Sequence, residues 1–299
     1  MNRLVLQFTA QLHLKNYSPS SIQNHRLDLL RFKSWLEEQE LATLPRIQTL
    51  DAERILAYQG HLAKRLKPRS INRHLSSLRL FFRFLEESGQ IRINPMDNVV
   101  FPKSVPPLPT MLLPSEVAAL LEAPDERHYL GLRDKAMLEA LYSTGVKLNE
   151  LIALDAASLE LDMGFLRVDG KRQRMVPLTD KAVALLRRYL AECRPQRVLH
   201  PQEPCLFPGR NGTRISRVGV WKLIKKYAQK AGIQRNFNPR TLRHAFAIHL
   251  ILGGMDLDAI KFLFGYKKLE AAALYAHVNT PDFRAAYQAY HPMAAKEPD

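Results

Sequence analysis

The sequence contains few of the residues that build disulfide-linked or zinc-stabilised folds. Cys193 and Cys205 are its only cysteines, and they do not form a CxxC motif. This usage fits a reducing compartment and argues against a zinc site. His244 and His249 share a predicted helix, but their spacing lacks the glutamate of an HExxH motif. We therefore interpret both histidines as packing residues and expect neither a metal nor another cofactor.

Long apolar runs are missing as well. No segment approaches the roughly 18 apolar residues that a membrane-spanning helix needs. No signal-peptide pattern is found at the start of the chain. We therefore expect a cytoplasmic protein without a membrane partner.

Acidic residues are scarce relative to basic ones. The chain holds 44 Lys and Arg against 29 Asp and Glu, for a formal net charge of +15 and a pI near 9.9. The excess is not confined to one tail, because residues 1–104 alone hold 16 basic and 9 acidic residues. A solvated basic surface is the simplest interpretation. Two separately basic regions favour a polyanionic partner, usually nucleic acid.

At 299 residues the chain is long enough for two domains. Residues 102–114 contain five prolines and no glycine, a composition typical of an extended, semi-rigid spacer. The sequence therefore predicts a first domain over residues 1–101, a linker over 102–114 and a second domain over 115–299. The first helix of the second domain is expected to open at Ser115-Glu116.

The first domain is predicted to be helical throughout. Ser18 before Pro19, and Asp51 ahead of a helix over 51–66, are placed to start helices. Within residues 69–85, apolar side chains spaced 4, 3, 4 and 3 mark one buried face. Four basic side chains fall within an arc of about 120° on the other side, and they are Arg69, Arg73, Arg79 and Arg83. Such a stripe is often only a solvated face, but no acidic residue interrupts it, so we favour a phosphate-facing surface.

The second domain is predicted to mix helices with one hairpin. A helix from about residue 130 to 143 stops at Gly145, and another starts near Asn149. Residues 165–168 and 171–178 alternate like strands around Asp169-Gly170, a two-residue hairpin signal. Helices are also expected over residues 181–193 and after Ser216, where the second helix carries a lysine-rich face.

Residues 238–278 hold the most specific pattern. Arg240 and Arg243 open an apolar helix, a Gly-Gly break and a second helix follow, and Phe-Gly-Tyr at 264–266 precedes Tyr275-Ala-His-Val. This frame resembles, without a gap, the carboxyl-terminal signature of tyrosine recombinases, the phage-integrase and Xer-like family. The resemblance implies a mostly α fold. It comprises a helical N-terminal SAM-like core-binding domain and a mainly α catalytic domain with a small antiparallel β-sheet.

The resemblance also implies catalytic roles for six positions. Tyr275 falls at the position of the nucleophile, and Arg243 at that of a bidentate phosphate clamp. Lys171 falls at the position of the lysine general acid, in a hairpin about two residues shorter than is usual. Three positions depart from the family pattern, and they are Lys147 in place of an arginine, Arg240 in place of a histidine, and Tyr266 in place of a histidine or tryptophan.

These departures affect different parts of the chemistry. Lys147 keeps a positive charge but loses the planar fork of arginine. Arg240 binds phosphate but cannot titrate near neutral pH as the family histidine does. The phenol of Tyr266 still donates a hydrogen bond. In the family the helix after Ser216 approaches the major groove of DNA, which implies Arg217 and Lys222 as DNA contacts.

Two functions are compatible with this sequence. The first is a site-specific recombinase or integrase that breaks and rejoins DNA through a 3′-phosphotyrosyl intermediate, and the retained Tyr275 and Arg243 favour it. The alternative is a catalytically impaired recombinase-fold protein that binds DNA as the accessory partner of an active recombinase, which Lys147 and Arg240 favour. An unrelated basic DNA or RNA binder fits the ungapped frame poorly. The resemblance implies double-stranded DNA as partner and a homo- or hetero-tetramer, including one with a second tyrosine recombinase, joined by a terminal helix over 281–292.

Overall fold

The computed structural model describes residues 1–103, 112–128, 130–170, 172–234 and 237–267. The chain divides into two compact units, Met1–Pro107 and Leu108–Asp299. Helices dominate the described part of both units, and the second unit contains a sheet of three short antiparallel strands. The predicted fold class, mostly α with a small antiparallel sheet, is confirmed. Among the described residues, every helix is too short or too polar to span a lipid bilayer.

Capping side chains determine where the helices of the first unit begin. The helices described there are α1 Asn2–Leu14, α2 Pro19–Glu38, α3 Leu44–Ile47, α4 Ala52–Ala63 and α5 Pro68–Glu87. The Ser18 side chain accepts a hydrogen bond from the backbone N–H of Ser21 at the start of α2, and Asp51 accepts one from Arg54 at the start of α4. Both predicted helix starts are confirmed.

Aromatic side chains fill the core of the first unit. The fully buried Phe32 ring packs edge-to-face on Tyr58 and Phe82, with centroids 4.8 and 6.1 Å away. α5 contributes the apolar face that its spacing predicts, and the buried residues of that face are Ile71, Leu75, Leu78, Phe82 and Leu85. The predicted orientation of α5 is therefore confirmed.

The second unit is built around one buried helix, α7. Its described elements are α6 Pro114–Glu122, α7 Gly131–Thr144, α8 Leu148–Ala153, β1 Leu159–Glu160, β2 Phe165–Val168, β3 Arg174–Pro177, α9 Asp180–Arg188, α10 Arg217–Lys230, α11 Pro239–Leu252 and α12 Leu257–Phe264. Nearly every residue of α7 is buried, and α11 packs along it. The helix predicted over 181–193 is α-helical only to Arg188 and continues as a π-helical turn to Cys193.

The last residues of the predicted linker belong to the second unit. α6 begins at Pro114, one residue before the predicted start, and the Glu116 carboxylate accepts the backbone N–H of Leu113 over 2.8 Å. Leu112 is fully buried in the core of this unit. Residues 104–111 lie outside the described residues.

The hairpin loop is longer than predicted. Val168 pairs with Arg174, so the five residues 169–173 connect β2 to β3. The prediction of a two-residue turn at Asp169-Gly170 is therefore wrong. The register follows from burial, because Leu166 and Val176 pair across the strands and both face the core. Burial of both side chains fixes which residues of the two strands pair, and this pairing leaves five residues in the loop.

Candidate active site

The start of α11 is set by its first residues. The Asn238 side chain accepts hydrogen bonds from the backbone N–H groups of Arg240 and Thr241, and Pro239 occupies the first helical position. Arg240 and Arg243 therefore lie one turn apart near this end of the helix. Arg240 is exposed, whereas Arg243 is buried with 7% of its surface accessible.

Arg243 joins the carboxyl ends of two helices. Its guanidinium donates to the backbone carbonyls of Gly145 and Phe264, the latter over 3.1 Å, and stacks 3.7 Å from the centre of the Phe264 ring. Gly145 ends α7 and Gly265 ends α12, both in the left-handed region with φ of 58° and 62°. Since helix carboxyl ends carry partial negative charge, they stabilise a cation at this point.

Lys147 is held at the start of α8 by Glu150. The Glu150 carboxylate accepts the backbone N–H of Lys147 over 2.8 Å and lies 3.4 Å from the Lys147 ammonium. The same carboxylate pairs with the Arg174 guanidinium through contacts of 2.9 and 3.2 Å. Burial opposes ionisation of Glu150, but the hydrogen bonds from Arg174 and the Lys147 backbone outweigh it and hold its pKa below the ordinary value.

Arginines also tie the hairpin to α12. Arg174, on β3, donates to the carbonyl of Leu263 over 2.6 Å, and Arg172 donates to that of Gly265 over 2.9 Å. Glu150, Arg174 and the end of α12 thus form one connected network. The start of α8, the start of β3 and the end of α12 are positioned together by it.

These elements line a cavity of about 680 Å³. Four of the six motif positions line it together, from three separate parts of the sequence, and they are Lys147, Arg240, Arg243 and Tyr266. Arg217 from the start of α10 lines it too, and none of the described residues that line it is acidic. A cavity with four cationic side chains and a phenol can hold a phosphodiester and stabilise charge on its oxygens.

His244 is the imidazole of this cavity. Burial, followed by the neighbouring guanidiniums of Arg240 and Arg243, lowers its pKa to about 4. His244 is therefore neutral near pH 7, and the positive charge of the cavity comes from lysine and arginine.

Two family models match the chain. Residues 110–281 match the phage integrase family, and residues 5–89 match the phage integrase N-terminal SAM-like domain. The chain belongs to the phage integrase family. The predicted resemblance to Xer-like tyrosine recombinases is also confirmed by curated relatives.

Tyrosine recombinase XerD of Staphylococcus epidermidis (strain RP62A) is 36% identical over 298 residues, which cover 98% of this chain and 100% of the relative. Tyrosine recombinase XerD of Pseudomonas putida (strain KT2440) is 39% identical over 296 residues and covers 97% of each chain. Among solved structures, XerH site-specific recombinase bound to palindromic difH substrate matches with a TM-score of 0.77 and 20% identity, covering 94% of this chain and 84% of that one. This last likeness concerns the fold.

The predicted DNA-contacting arginines of this integrase-family chain differ in their surroundings. Arg69 and Arg83 are exposed, and no described residue bonds to their side chains. Arg73 pairs with Asp28 of α2 at 2.5 Å, and Arg79 lies 4.1 Å over the Phe101 ring. The basic stripe of α5 therefore does contact an acidic residue. That residue lies on α2, so the sequence of α5 alone did not reveal the contact.

The two residues predicted to contact DNA from α10 line different cavities. Arg217 lines the candidate active site, whereas Lys222 lines a second cavity of about 660 Å³ together with Arg210, Arg214 and Lys226. Trp221, between them in sequence, is 41% exposed and also lines the active-site cavity.

Several residues at this site were missed by sequence reasoning. Glu150 carried a usable signal, because a glutamate three residues after a helix-start position is typical of a capping box. Arg174 carried none, since its partner is 24 residues away. His244 was expected to be a packing residue, but it lines the cavity. His249 instead bonds through its ring to the Tyr142 hydroxyl and the Leu112 carbonyl, at 2.9 and 2.8 Å.

Three predicted features lie outside the described residues. They are the nucleophile Tyr275, the general acid Lys171 and the terminal helix over 281–292.

Proposed function

We propose that this chain is a site-specific recombinase that breaks and rejoins duplex DNA through a covalent 3′-phosphotyrosyl link to Tyr275. The observation that carries the proposal is the shared cavity of Lys147, Arg240, Arg243 and Tyr266. These side chains come from three separate helix ends, and each falls at a position of the recombinase signature. Relatives that align over nearly the whole chain are tyrosine recombinases, which favours the enzyme over the accessory binding protein.

The reaction needs a nucleophile, cations on the phosphate and a proton donor. The Tyr275 phenol loses its proton to solvent, and its oxygen attacks phosphorus as the bond to the 5′ oxygen breaks. Lys171 gives a proton to that departing 5′ oxygen. Arg243 binds two non-bridging oxygens, because its planar fork is already oriented by two backbone carbonyls. Rejoining reverses these steps when a 5′-hydroxyl attacks the phosphotyrosine and releases Tyr275.

Two residues that depart from the family pattern, Lys147 and Arg240, change how positive charge acts on the phosphate. Lys147 contributes a point charge in place of a fork, and Glu150, 3.4 Å from its ammonium, restrains it. Arg240 adds a permanent positive charge in place of a titrating histidine. A more positive cavity favours the phenolate form of the nucleophile. We propose that this compensates in part for the lost proton acceptor.

Strand exchange requires two DNA sites, so the active form is proposed to be a tetramer on DNA. Residues 281–292 are proposed to join its subunits, either between identical chains or with a second tyrosine recombinase.

Covalent trapping tests the chemistry. The full-length protein is incubated with nicked duplexes taken from the DNA that flanks its gene, and the products are separated on a denaturing gel. A shifted adduct is expected for the wild type and should be lost in Tyr275→Phe. The Tyr266→Phe variant should still form the adduct, at a rate lower by a factor of roughly 10²–10³. An adduct that persists in Tyr275→Phe, or retarded DNA with no adduct at any nick, would contradict the proposal.

A further inference from the structure

The first unit buries a carboxyl group that the proposed chemistry does not use. Asp28, on α2, is 2% exposed. One carboxylate oxygen accepts from the Ser77 hydroxyl at 2.8 Å and from Arg73 Nη1 at 2.5 Å, and the other lies 3.2 Å from His74 Nδ1. A carboxylate this deeply buried is costly unless it is both paired and hydrogen-bonded. Arg73 supplies the ion pair, and Arg73 and Ser77 supply the hydrogen bonds, so both requirements are met from α5.

The position of the proton on His74 follows from its arginine neighbours. Its Nε2 lies 3.2 Å from Arg31 Nη1 and 3.3 Å from Arg73 Nη2. A guanidinium only donates hydrogen bonds, so Nε2 is the acceptor and the ring proton is on Nδ1, which lies 3.2 Å from an Asp28 oxygen without forming a hydrogen bond to it. Burial lowers the pKa of His74 despite the Asp28 charge, and both arginines add to this effect. The ring therefore stays neutral between one carboxylate and two guanidiniums.

This network holds two guanidiniums side by side at the surface where α2 meets α5. Arg31 is exposed, and the Arg73 side chain is 49% exposed. Asp28 neutralises only one of the two charges. Two like charges directed at one nitrogen repel each other, and an anion bridging their outer N–H groups would relieve that repulsion.

We propose that Arg31 and Arg73 form a binding site for a backbone phosphate of duplex DNA, with Asp28 and His74 as buried positioning residues. The inference rests on the proposed function, which supplies DNA as the polyanion. It extends that function by adding Arg31 and by giving the Asp28–His74 pair a role in binding beyond joining α2 to α5.

The Asp28→Asn substitution separates positioning from simple charge. Removing a negative charge from a basic domain should strengthen DNA binding if only net charge matters. Loss of positioning should instead weaken it, on the order of tenfold, which corresponds to one charge-assisted contact. Binding of the full-length protein to a short mixed-sequence duplex is measured by fluorescence anisotropy. Tighter or unchanged binding by a folded Asp28→Asn variant would overturn the proposal.

Arg31→Gln supplies a test that does not depend on a buried substitution. Between about 50 and 200 mM salt, the slope of log Kd against log salt should become shallower by about one. Arg54→Gln, at an exposed position on α4, is the matched control and should leave the slope unchanged. Arg31→Lys keeps the positive charge but loses the planar guanidinium. It should therefore show the salt slope of the wild type but bind the duplex more weakly than the wild type does. An equal effect of Arg54→Gln, or no effect of Arg31→Gln, would refute the site.

The same titration distinguishes this inference from the proposed function. If the wild type fails to bind the duplex at low salt, the recombinase proposal itself fails. If the wild type binds and the Arg31 variants behave like the wild type, only the phosphate site is wrong.

Discussion

Glu150 connects α8 to β3, and its substitution by glutamine removes one charge while keeping the shape of the side chain. The Arg174 side chain is 4% exposed and that of Glu150 is 16% exposed. Removing one partner of a buried pair costs about 3–5 kcal/mol. Glutamine keeps one acceptor for Arg174, so we expect the free energy of unfolding to fall by about 2–3 kcal/mol. That is a large part of the roughly 5–15 kcal/mol that stabilises a typical protein.

Urea denaturation followed by circular dichroism measures this effect. The matched control is Asp162→Asn, which removes a carboxylate paired with Arg187 at 2.6 Å, where the two side chains are 93% and 52% exposed. Its expected cost is below about 1 kcal/mol. A Glu150→Gln variant no less stable than this control would refute the reasoning.

The pH dependence gives a second readout of the same pair. The pKa of Glu150 in the folded protein lies below the ordinary value of 4.5, which is that of the unfolded chain. Its stabilising contribution is therefore complete above pH 4.5 and is lost as the pH falls through the folded value. Glu150→Gln should lack this component of acid destabilisation.

Three further predictions concern the active-site cavity. Gly145→Ala should lower the free energy of unfolding by about 2–4 kcal/mol in urea titrations, because the added Cβ would collide with phenylalanine rings. The control is Gly164→Ala, since Gly164 also has a left-handed backbone but its Cβ would enter open space. This control should lower the free energy of unfolding by only about 1–2 kcal/mol. His244 has a folded pKa of about 4 against an ordinary 6.5, so the unfolded chain takes up a proton first. The free energy of unfolding should therefore fall by about 1–2 kcal/mol between pH 6.5 and 4, and His244→Gln should lack this loss in pH-dependent melts. The double substitution Lys147→Arg and Arg240→His should raise the rate of adduct formation on nicked DNA by roughly 10–100-fold. An unchanged rate would show that these two residues do not limit cleavage.

The sequence by itself determined the features that depend on neighbouring residues. Ser18 and Ser216 cap helices by accepting backbone N–H groups three residues ahead, so their roles can be predicted without a fold. The buried face of α5 follows from its spacing for the same reason. The recombinase frame over 238–278 was equally visible, because order and spacing along one stretch carry it.

Only the tertiary structure decided how distant charges are paired. Asp28 reaches Arg73 from 45 residues away, and Glu150 reaches Arg174 across 24 residues. Neither pairing leaves a periodic signal, because each depends on which helix and strand ends the fold brings together. The hairpin loop and the cavity position of His244 were mispredicted for the same physical reason, since burial of other residues set the register and the packing around them.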